Sequence, residues 1–137
     1  MSSYRRTVLP RSEADDIDRL TRVTPDWPTP GVMFRDVSPV LTQSGVFGSL
    51  IGRMCDLSCS YNGASSPQLI AGLDARGFVF GAAMAMRDDI GFLMVRKAGK
   101  LPRPTDRESY ALEYGEAAFE IPVGAIVPGT RVTIVDD

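Results

Sequence analysis

The sequence predicts an α/β fold, a parallel sheet flanked by helices, and three observations carry that prediction. Apolar runs of strand length recur at "LIAGL", "GFLMVRK" and "RVTIVDD". Between the first two lies "GFVFGAAMAM", whose small residues suit a helix packed closely on a sheet. Strands that alternate with helices indicate parallel pairing. The last run breaks into two adjacent carboxylates, Asp136 and Asp137. A buried parallel strand delivers acids to its carboxyl end in this way, and ligands of open α/β sheets bind just beyond that end. At 137 residues the chain has the length of a single domain with a real core.

The elements follow in order. "SEADDIDRLTRV" opens with Ser12 and carries Asp15 three residues later, a capping-box pattern, and Ile17 and Leu20 then mark one helical face. "TPDWPTPG" holds three prolines, which forbid a helix or a central strand there. "VMFRDVSPVL" is short and mixed. From Val46, the residues Phe47, Leu50, Ile51, Met54 and Leu57 recur at helical spacing, so 45–59 reads as an amphipathic helix. "SYNGASSP" is a loop, Leu69 to Leu73 a buried strand, and Gly77 to Met86 the small-residue helix. After the strand "GFLMVRK", residues 98–116 read as turn-rich and polar, "AAFEIP" as a short strand, "VGAIVPG" as a turn and "RVTIVDD" as the last strand.

Composition removes several function classes. A formal charge of −2 argues against a general nucleic-acid binder, which needs a concentrated basic surface. No apolar run approaches the ~20 residues of a membrane span. The N-terminal "MSSYRRTVLPRSEADD" lacks the apolar core of a signal peptide, so a cytoplasmic protein is expected. The chain contains no histidine, which excludes His-based triads, His-rich zinc sites and imidazole acid–base chemistry. Cys55 and Cys59 form a lone C-x-x-x-C inside the second helix, and they read as buried or half-buried thiols rather than as a metal or redox pair.

Four segments carry chemistry. "DARG" sits at a strand-to-helix turn, where backbone N–H groups and the helix dipole favour an anion, and Arg76 adds a guanidinium suited to phosphate. The tetrapeptide alone fits equally a loop tied down by Asp74 and Arg76. "RKAGKLPRPTDR" places Arg96, Lys97, Lys100 and Arg103 within eight positions, directly after a strand's carboxyl end. A charge run is usually a solvated face, but at this place it points to a polyanionic ligand. In "ESYALEYG", Glu113 lies between Tyr110 and Tyr114, on either a surface hairpin or a lid with a catalytic carboxylate. Asp136 and Asp137 need a cation, a hydroxyl pair or solvent.

These segments, in this order, resemble the adenine phosphoribosyltransferase family of the type I phosphoribosyltransferases. The resemblance runs from "TPDWPTPGVMFRDVSPVL" through "IAGLDARGFVFGAA", "VRKAGKLPRPT" and "SYALEYG" to "PGTRVTIVDD", Thr24 to Asp137. It implies purine salvage: transfer of phosphoribosyl from phosphoribosyl diphosphate (PRPP) to N9 of adenine, giving AMP and diphosphate. It further implies that Met33, Phe34 and Arg35 belong to the adenine pocket. Asp74, Ala75 and Arg76 would form the diphosphate loop, which in related enzymes often holds a non-proline cis peptide. Lys97 and Lys100 would help neutralise the diphosphate, in some members across a homodimer interface. Tyr114 and the catalytic Glu113 would belong to the lid, with the carboxylate near N7 of the base, and Asp136 and Asp137 would hold the ribose hydroxyls. Mg²⁺ would be held through PRPP, with no protein ligand assigned to it.

In the family the acid pair is followed by a Gly/Thr-rich loop and a helix that grip the 5′-phosphate, and then by a further helix and strand. None of these follows Asp137 in this sequence. The expectation is therefore a single incomplete domain over 1–137, lacking the C-terminal elements, with one sheet face and the edge of the last strand uncovered. As it stands such a chain would bind PRPP poorly and turn over little or not at all. The alternative expectation is a non-catalytic binding or regulatory module of the same fold.

Overall fold

The computed structural model describes residues 11–61, 65–102, 104–112 and 115–137, with backbone alone at 11–14, 111, 112, 115 and 116. The chain divides into two compact units, Met1–Leu57 and Ser58–Asp137.

The first unit begins with helix α1 (Arg11–Leu20). Its first described residue is Arg11, so Ser12 lies inside the first turn rather than capping it. The helix closes where Thr21 donates both its N–H and its hydroxyl to the Ile17 carbonyl, at 2.9 and 2.8 Å. Strands β1 (Arg22–Pro25) and β2 (Met33–Asp36) form an antiparallel ribbon in the register Arg22↔Asp36 to Pro25↔Met33. The proline-rich segment connects them, as a stretch barred from a central strand can. There the Asp26 carboxylate accepts the Gly31 N–H at 2.7 Å, and Gly31 takes φ +90°, which favours glycine. A short helix α2 (Ser38–Leu41) follows, with Pro39 in its first turn and Val40 buried. Helix α3 (Ser44–Tyr61) contains the predicted 45–59 span and buries Ile51 and Cys55. Neither cysteine is in a disulfide; Cys55 is buried and Cys59 half-buried.

The second unit holds β3 (Leu69–Leu73), α4 (Gly77–Asp88), β4 (Gly91–Lys97), β5 (Thr105–Leu112), β6 (Gly115–Pro122) and β7 (Val132–Val135). They build one five-stranded sheet in the order β5-β6-β4-β3-β7. The predicted parallel core is present: β3 pairs in parallel with β4 and with β7. The antiparallel ladder of β5 and β6 extends it through β4, making the sheet mixed. Turn-rich chain was expected over 98–116, but Thr105–Leu112 within it is the edge strand β5. Its run Asp106, Arg107, Glu108 and Ser109 is exposed and lacks the apolar alternation that marks a strand. Pairing with β6 makes it one, and its charges suit a sheet edge.

Helix α4 packs on the face that carries Ile70 and Gly72. A Cβ at Gly72 would lie 2.5 Å from the Gly77 carbonyl oxygen, and one at Gly81 would lie 2.7 Å from the Phe92 ring. Only glycines let helix and sheet approach this closely. The opposite face, with Ala71, Leu73, Val95, Phe119, Val132 and Ile134, lines an apolar pocket of about 530 Å³. Strand β7 pairs with β3 alone among the described strands, and Ile134 is 68% exposed.

Candidate functional site

The parallel strands deliver three segments to one end of the sheet. After β3 the chain turns through Asp74, Ala75 and Arg76 into α4, and the Asp74–Ala75 peptide is cis. The Asp74 N–H donates to the Val95 carbonyl at 2.9 Å, which ties the turn to the end of β4. The Asp74 carboxylate accepts the Arg96 Nε–H at 3.0 Å and the Lys97 N–H at 3.3 Å. The Arg96 bond, first among these influences, holds the Asp74 carboxyl below the ordinary value of 3.8. Arg96 lies 5.8 Å over the Phe78 ring, so this guanidinium is engaged on two sides.

Arg76 meets the end of β7. Its Nε lies 2.7 Å from Asp137 Oδ2, with the arginine side chain 60% exposed and that of Asp137 16% exposed. An ion pair this open to water is weak, ~0–1 kcal/mol, so Arg76 can turn to a stronger anion. The approach of α4 to β7 depends on Gly77, where a Cβ would strike the Val135 carbonyl oxygen and lie 3.3 Å from Asp136 Oδ1.

The loop after β4 is organised from β6. Its first residue, Ala98, donates its N–H to the Ala118 carbonyl at 2.9 Å. Glu120, 6% exposed, accepts the N–H groups of Lys100 and Leu101 on Oε1 at 2.9 and 3.1 Å, and the Thr105 hydroxyl on Oε2 at 3.4 Å. Burial is the largest single influence on its carboxyl and pushes the pKa up. The N–H bonds from Lys100, Gly99 and Leu101 and the Thr105 hydroxyl together outweigh it, holding the group below the ordinary 4.5. Lys97 and Lys100 are themselves exposed.

In the first unit, Met33 is 59% exposed, Phe34 is half-buried and Arg35 is exposed along β2. The ribbon has only two strands, so half of the β2 backbone groups face away from β1. Asp36 accepts the Ser38 N–H at 2.9 Å, and hydrogen bonding from Ser38 lowers its carboxyl pKa, fixing where β2 ends.

No protein-family model matches the chain. Among curated proteins it is 46% identical over 127 residues to adenine phosphoribosyltransferase of Homo sapiens, covering 92% of this chain and 69% of that one. It is 47% identical over 116 residues to the protein of the same name from Acidovorax sp. (strain JS42), covering 85% and 62%. Among solved structures, adenine phosphoribosyltransferase from Saccharomyces cerevisiae, complexed with an imino-altritol bisphosphate and adenine, superposes with a TM-score of 0.86 at 36% identity, covering 93% and 73%. The one from Thermoanaerobacter pseudethanolicus superposes at 0.82 with 41% identity, covering 90% and 69%. The chain belongs to the adenine phosphoribosyltransferase family. It spans 59% to 71% of the length of these and other curated relatives.

Of the residues that resemblance to this family singled out, Asp74, Ala75, Arg76, Lys97, Asp136 and Asp137 gather at the carboxyl ends of β3, β4 and β7, and Lys100 lies three positions beyond β4. Glu113, Tyr114 and Arg103 lie outside the described residues. No acid lies between Arg96 and Arg103 in the sequence, yet the fold brings two to this stretch, Asp74 to Arg96 and Glu120 to the loop amides. Sequence reading missed Glu120. The available signal was a carboxylate in phase with Ala118 on the buried face of a strand, where a charge needs partners. Among the described residues no three His, Cys, Asp or Glu side chains cluster as a metal cage, and no helix is long and apolar enough to cross a membrane.

Proposed function

We propose that this chain serves transfer of the 5-phosphoribosyl group from PRPP to N9 of adenine, as purine salvage in the cytoplasm and within a homodimer. One observation carries the reading: Arg76, a cation at a strand-to-helix turn, lies 2.7 Å from the Asp137 carboxylate at the end of the neighbouring parallel strand. A ligand that combines diphosphate with sugar hydroxyls needs that pairing of opposite functions at one sheet end.

The transition state is a ribosyl oxocarbenium ion leaving a diphosphate, so catalysis is positioning and charge stabilisation. Asp136 and Asp137 accept the ribose hydroxyls. Arg76 leaves Asp137 for the diphosphate, where Lys97 and Lys100 add positive charge, and Asp74 holds the turn through Arg96. Backbone groups of Met33 and Arg35 read the base edge, Phe34 gives it an apolar surface, and the Glu113 carboxylate meets N7 beside Tyr114. The purine is the nucleophile, so the absence of histidine is no obstacle. Mg²⁺ would enter with PRPP as part of the substrate, held through PRPP oxygens of the kind a hard cation prefers, with no residue of this chain assigned to it.

The test has two parts. Titration calorimetry of the 137-residue chain with diphosphate, PRPP and adenine in Mg²⁺ reads the binding sites. AMP formation is then assayed after the chain is extended past Asp137 with the following segment of a curated relative. Binding of diphosphate and adenine, weak binding of PRPP by the 137-residue chain, and adenine-dependent diphosphate release by the extended protein are expected. Binding without turnover in the extended protein would replace the transferase reading with that of a non-catalytic binding module. Absence of diphosphate binding would overturn both.

A further inference from the structure

We infer that Glu120 is a positioning residue, setting the 98–101 loop so that Lys100 meets the diphosphate; this rests on the reading of that loop proposed above. A carboxylate with 6% exposure is costly in a strand unless its oxygens are satisfied. Here backbone N–H groups do much of that work, and two of them are consecutive, Lys100 and Leu101 on a single oxygen. The bond is made at the main chain of the residue that bears the lysine. Where Glu120 sits therefore decides where that side chain starts.

The surrounding geometry leaves the loop few other anchors. Arg96 and Lys97 pair with Glu120 and Phe119 as the last registered pairs of β4 with β6, and Ala98 is held by the Ala118 carbonyl. Beyond it Gly99 takes φ +84° and the chain turns away from the ladder. Thr105, which opens β5, donates its hydroxyl to the other Glu120 oxygen. One buried carboxylate thus grips the loop at both its outgoing and returning ends. A carboxylate accepting two adjacent amides is the inverse of an anion-binding nest, with the anion supplied by the protein. It orders a glycine- and proline-rich segment whose entropy would otherwise oppose holding Lys100 in one place.

The experiment uses the 137-residue chain with inorganic diphosphate and Mg²⁺ as the probe. It compares wild type, Lys100→Ala, Glu120→Ala, Glu120→Gln and the Lys100→Ala/Glu120→Ala pair. Calorimetry reads affinity, and amide hydrogen exchange reads the 99–101 N–H groups. One lost charge-assisted phosphate contact corresponds to about a tenfold weaker affinity, and Glu120→Ala should match Lys100→Ala at that level. The double variant should be no weaker than Lys100→Ala alone, because Glu120 acts through the lysine. Glu120→Gln keeps an acceptor for both amides and fills the same volume. It should fold, retain slow exchange at 99–101 and recover most of the affinity. Additive losses in the double variant, or unchanged amide exchange in Glu120→Ala, overturn the positioning role while leaving the diphosphate site standing. A wild-type chain that takes no diphosphate overturns the reading of the loop, and the role of Glu120 with it.

Discussion

Replacing Gly77 with alanine tests the packing that brings α4 to the end of β7. The new Cβ would collide with the Val135 carbonyl oxygen, 3.2 Å from its carbonyl carbon and 3.3 Å from Asp136 Oδ1. The obstructing oxygen is backbone within a strand, so it cannot swing aside as the end of a long side chain would. Either the helix N-terminus lifts from the sheet or the end of β7 bends. Overpacking typically costs ~1–3 kcal/mol, and a backbone obstacle places this site near ~3. For a chain of this size that corresponds to a fall in Tm of about 10 °C. Gly48 supplies the control: it lies within α3, and no described atom comes within 4 Å of a Cβ built there. Alanine at that position should stabilise the helix by ~0.5–1 kcal/mol and raise Tm by about 2–4 °C. Thermal unfolding followed by circular dichroism reads both variants. A Tm for Gly77→Ala within about 2 °C of wild type would falsify the close-approach argument.

Other outcomes follow from the site. Arg76→Ala should weaken diphosphate and PRPP binding by ~1.5–3 kcal/mol while leaving adenine affinity nearly unchanged, measured by calorimetry; the opposite pattern would remove the Asp74–Arg76 turn from the diphosphate site. Acid should loosen the basic loop. The Glu120 and Asp74 carboxyls are both held below their ordinary values of 4.5 and 3.8. Their contribution to stability is therefore full above those values and is lost as pH falls through the lower folded ones. Arg96 and Arg107 are the cross-strand neighbours of Glu120. Exchange at the Lys100 and Leu101 amides, corrected for intrinsic rate, should be flat from pH 7 to about 5 and rise below 4.5, and a flat profile down to pH 3 would refute the assignment. Glu113→Gln, in the chain extended as above, should lower kcat more than it raises either KM, as a group engaged mainly in the transition state does. An unchanged kcat would return that segment to a surface hairpin.

The sequence by itself determined the elements whose residues answer to local rules. Leu69–Leu73, Gly91–Lys97 and Val132–Val135 are short apolar runs bounded by turns. Helix α3 shows the spacing of one buried face, and the glycines and alanines of α4 announce close packing. With the parallel core in place, the carboxyl ends of its strands were already where a ligand belongs, and Arg76, Lys97 and the acid pair could be read there. Tertiary structure alone decided what depends on partners far along the chain. Asp106 to Ser109 form a strand because Ala118 to Ile121 stand beside them, not because of any pattern of their own. Arg96, one cation of a basic run, becomes the counterion of Asp74, 22 residues away. Glu120, which sequence reading passed over, is the buried anchor of a loop 20 residues before it. Local periodicity reports which face of an element is buried; it carries no information on which distant group meets a buried charge, because that meeting exists only once the sheet has closed.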